Sequence, residues 1–358
     1  MKVLIIANYD LGLYKFRKEL IETLLQEGHE VVIALPYGEL VDPLVEMGCQ
    51  FIEITMERRG MNPIKDLGLM LQYHKLLKKV RPNKVITYTI KPNIYGGLIS
   101  RWHKVPYYAN ITGLGTAFQR EGILKRMITF LYKRALKKAQ AVFFENGDNR
   151  ATFLKHNIIS SEQAIGLNGA GINLEEYPYM LMRLEEQLRF LFIGRIMKEK
   201  GIEEFFNVAK RIKKEYPYTE FEVVGPYEED YKSKIEALEQ AGIIHYYGYQ
   251  TDVKPFIKSS HCFVLPSYHE GMANTLLEAA AIGRPLIVSD IPGCREAIDH
   301  NGYTVKVQDE EDLYNKIKMY IELDEDTKIV MGMQSRRYME QKFDKRKIVQ
   351  KTLDYVEA

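Results

Sequence analysis

Arg189-Phe-Leu-Phe-Ile193, then Gly194-Arg-Ile-Met-Lys-Glu-Lys-Gly201, then Ile202-Glu-Glu-Phe-Phe-Asn-Val-Ala-Lys-Arg-Ile-Lys-Lys-Glu215 follow one another without a break. The short apolar run predicts a buried strand over 189–193, and the periodic segment predicts a helix over 202–215. A basic loop bounded by two glycines joins them. Strand, short loop and helix in this order form the repeating unit of a parallel α/β sheet.

The same alternation continues in both directions. Before it, strands are predicted at 3–7, 31–34, 84–88, 107–111 and 141–144, with helices near 17–27 and 67–79. After it, strands fall at 221–224, 243–246, 262–265 and 286–288, with helices at 230–240, 253–259 and 275–281. Two such series predict an α/β protein of two doubly wound, Rossmann-like domains facing a cleft. A chain of 358 residues is long enough for two cores. The domains are expected at 1–165 and 166–339, with a joint near the glycines and proline of 169–178. The helix of about 340–358 is a candidate to pack back on the first domain.

Composition narrows the class. Hydrophobic residues at 46% and charged residues at 27% exclude disorder, collagen and coiled coil. No run approaches the ~20 apolar residues of a membrane-spanning helix. Cys49, Cys262 and Cys294 are far apart and show no metal spacing, which suits a reducing compartment. A cytoplasmic protein is expected.

Charge is unevenly placed. Residues 1–165 hold 24 Lys+Arg against 15 Asp+Glu, and residues 60–138 hold 16 against 2. A field of one sign over such a length attracts anions: a phospholipid surface, a polyphosphate or a nucleic acid. Within it, residues 122–140 place Ile123, Met127, Phe130, Leu131, Ala135 and Leu136 near helical spacing, with bases between them. Such a helix reads either as a membrane-surface element or as a domain-surface helix whose bases face water.

In open α/β sheets ligands sit beyond the carboxyl ends of the strands, so the loops there carry the chemistry. Gly12 falls between the first strand and its helix, but no Gly-x-Gly-x-x-Gly is present and a dinucleotide fingerprint is absent. After the strand ending at Ile193, Arg195 and Lys200 flank a loop that opens a helix. A guanidinium fork, an ammonium and helix-start amides together suit a pyrophosphate. After the strand ending at Leu265 comes Pro266-Ser-Tyr-His-Glu-Gly-Met-Ala-Asn-Thr-Leu-Leu-Glu278. Glu270 precedes a helix and Glu278 lies about one turn inside it, so both can face one cleft with the amides near Asn274 and Thr275. Carboxylates accept hydrogen bonds from sugar and ribose hydroxyls. His269 reads as a loop residue.

With Gly194-Arg195, Lys200-Gly201, Val224-Gly225, Gly248-Tyr249, Asp252-Val253, Pro266-Ser267, Glu270-Gly271 and Glu278-Ala279 in place, the chain resembles the retaining family-4 glycosyltransferases of the GT-B fold. Lys91-Pro-Asn-Ile-Tyr-Gly96 and Asn110-Ile-Thr-Gly-Leu-Gly-Thr-Ala-Phe118 are similar to a narrower group. That group builds capsule, exopolysaccharide or glycan precursors on polyprenyl diphosphate and includes N-acetylgalactosaminyltransferases of bacterial N-glycosylation.

The resemblance implies that Arg195, Lys200 and Glu270 are catalytic. It places Gly12, Gly194, Gly271, Asn274, Thr275 and Glu278, with Arg195 and Lys200, around a nucleotide-sugar donor. The donor is expected to be UDP-linked and a substrate, with no cofactor and no metal; N-acetylgalactosamine or a related galacto sugar is the expected group. Two departures stand out. Leu11-Gly12-Leu13 replaces a glycine pair common in the family, and Thr112-Gly113 stands where many members carry a histidine, so both are acceptor-side candidates. The expected acceptor is a lipid-linked glycan, with the basic segment 60–138 docking on an anionic membrane at the inner face of the cell membrane. A UDP-sugar epimerase of GT-B fold and a basic nucleic-acid-binding α/β protein are the alternatives. No RNP-like run or zinc spacing supports the second, and no nucleic-acid partner is expected.

Overall fold

The computed structural model describes residues 1–56, 62–114, 122–183 and 187–358. Among these, the first series of elements is β1 (Lys2–Ile6), α1 (Asp10–Gln26), β2 (Glu30–Leu35), α2 (Val41–Glu46), β3 (Gln50–Glu53), α3 (Pro63–Val80), β4 (Lys84–Tyr88), α4 (Gly97–Trp102), β5 (Tyr107–Ile111), α5 (Ile123–Ala135), β6 (Ala141–Phe144), α6 (Gly147–Lys155) and β7 (Ala164–Gly166). The second is β8 (Leu188–Ile193), α7 (Ile202–Glu215), β9 (Thr219–Val224), α8 (Lys232–Gln240), β10 (His245–Tyr246), α9 (Lys254–Ser259), β11 (Cys262–Leu265), α10 (Asn274–Ile282), β12 (Leu286–Ser289), β13 (Gly302–Val305), α11 (Glu310–Ile321), α12 (Glu325–Tyr338) and α13 (Lys345–Glu357).

All strand pairs are parallel, in the orders β3-β2-β1-β4-β5-β6-β7 and β10-β9-β8-β11-β12-β13. A parallel sheet is covered on both faces, so its strands are apolar on both. In β1, Val3 and Ile5 join one core cluster while Leu4 and Ile6 join the other. This alternation explains the unbroken apolar run that marks the strand in sequence.

The chain divides into two units, residues 1–171 with 345–358, and residues 172–344. Residues 167–171 stay with the first sheet because Leu167 N donates to Phe144 O at 2.7 Å and Gly169 N to Glu145 O at 3.0 Å. Ile172 instead donates to Phe343 O at 2.7 Å, so residues 340–344 stay with the second unit. Helix α13 packs Ile348, Leu353 and Val356 into the core of Val3, Ile5, Ile21 and Leu24.

One junction in the first unit is expected to respond to pH. His103 follows α4, and its Nε2 lies 3.0 Å from His74 Nδ1 on α3. Burial lowers its pKa below the ordinary 6.5, helped by His74 and Lys78. The fold therefore holds His103 neutral, whereas the unfolded chain takes up a proton near 6.5. The associated stability is complete above pH 6.5 and is lost as pH falls from there through the lowered value. A melting-temperature series is expected to drop more steeply below pH 6.5 in the native chain than in His103→Gln. Parallel curves would contradict this.

Candidate functional site

In the second unit the strand order reverses between β8 and β11. That switch point is where an open α/β sheet forms its ligand crevice. The two loops leaving it, residues 194–201 and 266–273, are the two the sequence singled out. They are locked together by backbone as well as by charge. Tyr268 N donates to Glu199 O at 2.9 Å, and Tyr268 Oη donates to Glu204 Oε1 on α7 at 2.6 Å. Lys200 Nζ reaches Glu270 Oε1 at 2.5 Å, with side chains only 17% and 11% exposed. Loss of water from this pair makes each charge matter more than on an open surface.

The other predicted residues lie around this pair. Gly194 N donates to Val224 O at 3.0 Å, and a Cβ on Gly225, at φ +146, would sit 1.8 Å from Gly194 O. Only glycine permits that approach of the loop after β9 to the loop after β8. Arg195 Nη1 pairs with Glu228 Oε1 at 3.1 Å in an exposed contact. Exposed pairs of this kind are worth little, so a phosphate can replace the carboxylate. Glu270 and Gly271 lie before α10; Asn274 and Thr275 are its first two residues, where helical amides lack an intrahelical acceptor. Thr275 Oγ1 donates to Ile193 O at 3.4 Å, tying the helix start to the end of β8. Glu278 is half-buried one turn further on and faces Tyr177, whose hydroxyl pKa burial and that carboxylate push up.

Three participants escaped the sequence reading. Glu228 and Tyr177 are partners supplied by distant segments. The loop after β12 is the third: Ala273 N donates to Gly293 O at 3.1 Å, and the buried Cys294 thiol next to it is pushed well up by burial and by Glu270. The Pro292-Gly293 pair after a predicted strand was a turn signal that pointed there.

The first-unit candidates are placed differently. Gly12 lies in the first turn of α1, not in an open loop before a helix starting at 17. The helix starts early because Leu13 and Arg17 are already on its buried face, and Asp10 Oδ2 accepts from Leu40 N at 3.0 Å. Thr112 and Gly113 leave the carboxyl end of β5; residues 115–118 of the same motif lie outside the described residues. Residues 60, 61 and 115–121 of the basic segment do so as well. His269 is an exposed loop residue.

Helix α5 carries features of both readings of its segment. It buries Ile128, Tyr132 and Ala135, while Ile123 (86% exposed), Leu124, Met127 and Phe130 face outward. The expected stripe splits along its length: Ile123, Met127 and Phe130 stay in solvent, whereas Leu131 is half-buried and Ala135 and Leu136 are buried in the core. Among the described residues no helix is long and apolar enough to cross a membrane.

Comparison with known proteins agrees with this geometry. A family model described as glycosyl transferases group 1 matches residues 181–339, and one described as glycosyl transferase 4-like matches residues 2–146. The N,N'-diacetylbacillosaminyl-diphospho-undecaprenol alpha-1,3-N-acetylgalactosaminyltransferase of Campylobacter jejuni is 28% identical over 90% of this chain and 90% of its own length. The UDP-Gal:alpha-D-GlcNAc-diphosphoundecaprenol alpha-1,3-galactosyltransferase of Escherichia coli is 26% identical over 78% of this chain and 76% of its own. The crystal structure of Anabaena HepE with UDP and glucose superposes with a TM-score of 0.80 at 14% identity, covering 100% of this chain and 99% of that one. The chain is a glycosyltransferase of the GT-B fold, with a glycosyl transferase 4-like first domain and a group 1 second domain.

Proposed function

We propose that this enzyme moves a sugar, N-acetylgalactosamine or a related galacto sugar, from a UDP-sugar to a polyprenyl-diphosphate-linked glycan, with retention and without a metal. The observation that carries the reading is the Lys200–Glu270 pair across the two switch-point loops. Departure of UDP builds negative charge on the diphosphate. Fixed cations placed there stabilise that charge without reorganising during the reaction. Lys200 has three donors and can hold Glu270 and a phosphate oxygen together, while Arg195 closes as a fork from the loop rim. Amides of Asn274 and Thr275 at the start of α10 add donors to the same anion. Glu270 then accepts from hydroxyls of the transferred sugar, and Glu278 from the ribose.

Two relatives whose names carry diphospho-undecaprenol acceptors support the acceptor class. The test is transfer from UDP-N-acetylgalactosamine and UDP-galactose to those two acceptors, with anomeric configuration read by NMR. The expected product is lipid-linked, has an α linkage and forms equally with EDTA present. Release of free sugar alone, a β linkage or loss of activity with EDTA would each contradict the corresponding part.

A membrane-bound acceptor calls for a docking face, and we assign it to the outer side of α3, α4 and α5 at the cytoplasmic leaflet. These neighbouring helices expose Ile64, Leu67 and Leu71 on α3, Trp102 on α4, and Ile123, Leu124, Met127 and Phe130 on α5. Lys75, Lys78, Lys79, Arg126, Lys133 and Arg134 are exposed among them. Bases near an anionic surface contribute about 1 kcal/mol each, and the apolar side chains add burial. Trp102 is the chain's one tryptophan and is 70% exposed, so it reports on docking directly. Anionic vesicles are expected to carry the protein in flotation and to shift its emission to the blue, and neutral vesicles to do neither. Equal behaviour with both would contradict the docking face.

A further inference from the structure

The first sheet has a switch point of its own, between β1 and β4. The segment leaving β4 there is Thr89-Ile-Lys-Pro-Asn-Ile-Tyr-Gly96, a motif for which the donor site has no use. Its backbone is unusual twice over. Thr89 is β-branched yet has φ +74, in the left-handed region, and its buried hydroxyl has no hydrogen-bond partner among the described residues. Strain of that kind persists where a site over-determines it. Helix then runs over residues 90–102, opening with a π-helical turn at Pro92–Gly96, another feature that gathers at functional sites. Asn93, 1% exposed, clamps this turn to the sheet by accepting from Thr87 Oγ1 at 2.7 Å and donating to Asn110 O at 2.8 Å.

The rigid turn carries a cation. Lys91 Nζ lies 2.9 Å from Asp66 Oδ1 on α3, with side chains 13% and 8% exposed. An ammonium carries three donors, so this pairing leaves it able to donate elsewhere. Tyr95, from the same turn, faces Asp66, and burial together with that carboxylate pushes its hydroxyl pKa up. A buried carboxylate thus fixes a lysine at the carboxyl edge of the sheet, as Glu270 does for Lys200 in the other unit.

The surroundings say what kind of anion fits. The 92–96 turn packs against both α3 and α5. Both helices begin at this edge of the sheet, and each starts with exposed apolar side chains: Ile64 and Leu67 on either side of Asp66, and Ile123, Leu124 and Met127 on α5. A fixed cation at the head of two apolar rows suits an amphiphile with an anionic head and a hydrocarbon tail.

We propose that Lys91 binds the diphosphate of the polyprenyl-linked acceptor, with Asp66 and Tyr95 as positioning residues. The inference rests on the transferase reading above. Its test is calorimetric titration with farnesyl diphosphate and with farnesol, in saturating UDP to fill the donor site. Lys91→Ala is expected to weaken farnesyl diphosphate binding at least about tenfold and leave farnesol binding unchanged; Lys91→Arg should restore it to within about threefold of the native chain. Because Lys91→Ala alone leaves a buried carboxylate without its cation, the Asp66→Asn/Lys91→Ala double variant is titrated beside it and should show the same selective loss. Absence of farnesyl diphosphate binding by the native chain, unchanged affinity in the variants, or equal weakening for farnesol would overturn the proposal. Turnover of the native enzyme with the two diphospho-undecaprenol acceptors tests the transferase reading separately.

Discussion

Lys200→Ala is expected to lower kcat by about 10²–10³ while the protein still melts cooperatively. The size follows from removing one fixed charge from the place where negative charge develops, a loss of roughly 3–4 kcal/mol in transition-state stabilisation. The loop around it does not depend on the side chain: Tyr268 N–Glu199 O, Lys200 N–Met197 O and Gly201 N–Lys198 O are all backbone bonds. Glu270 would be left 11% exposed without its cation, so a modest fall in melting temperature accompanies the kinetic loss. Lys200→Arg should keep part of the rate, because its charge survives but a planar fork replaces a compact ammonium. Steady-state kinetics with the UDP-sugar varied separate the effects. A variant with native kcat would remove Lys200 from the chemistry.

Gly201→Ala is expected to damage both rate and stability. Gly201 has φ +70, and a Cβ there would lie 2.0 Å from Pro266 O and 2.6 Å from Pro266 C, which are backbone atoms that cannot swing aside. The left-handed conformation alone costs an L-residue about 1–2 kcal/mol. Relieving the clash forces apart the two loops that bring Lys200 to Glu270. A displacement of about 1 Å at reacting groups costs about 10² in rate, so kcat/KM should fall at least that far. The two variants are distinguished by melting: Lys200→Ala loses mainly rate, Gly201→Ala loses both. An active and fully stable Gly201→Ala enzyme would show that the contact between the loops is dispensable.

How much of this was legible in the sequence depended on burial. The strands at 84–88, 107–111, 141–144 and 262–265 read correctly because both faces of a parallel sheet are covered and each strand is an apolar run. Strands β3, β7 and β13 lie at sheet edges and carry Gln50, Glu53, Gly166, Gly302 and Thr304, so their pattern resembles loop. The start of α1 was hidden because Asp10, Gly12 and Lys15 read as loop residues, whereas burial of Leu13 and the Asp10–Leu40 bond hold them helical. Arg195, Lys200, Glu270 and Glu278 could be placed because the strand-loop-helix rhythm puts them at carboxyl edges. Their partners Glu228 and Tyr177, and the 289–294 loop, could not be, since only the folded sheet brings them there. The division of the α5 stripe into an exposed first half and a covered second half was illegible for a related reason: a helix with apolar residues on more than one side does not announce which side is covered.

The central claim is that the β8–β11 switch-point loops bind the diphosphate of a UDP-sugar. Thermal denaturation with UDP, GDP and ADP and their common sugars tests it most directly, with Lys200→Ala alongside. A ligand at a hundred times its dissociation constant adds about 2.7 kcal/mol of stability, which is several degrees at any scan rate that allows equilibrium. Selective stabilisation by UDP and UDP-sugars, abolished or strongly reduced in Lys200→Ala, is the expected result. No stabilisation by any nucleotide, or an equal shift in the variant, would contradict the claim.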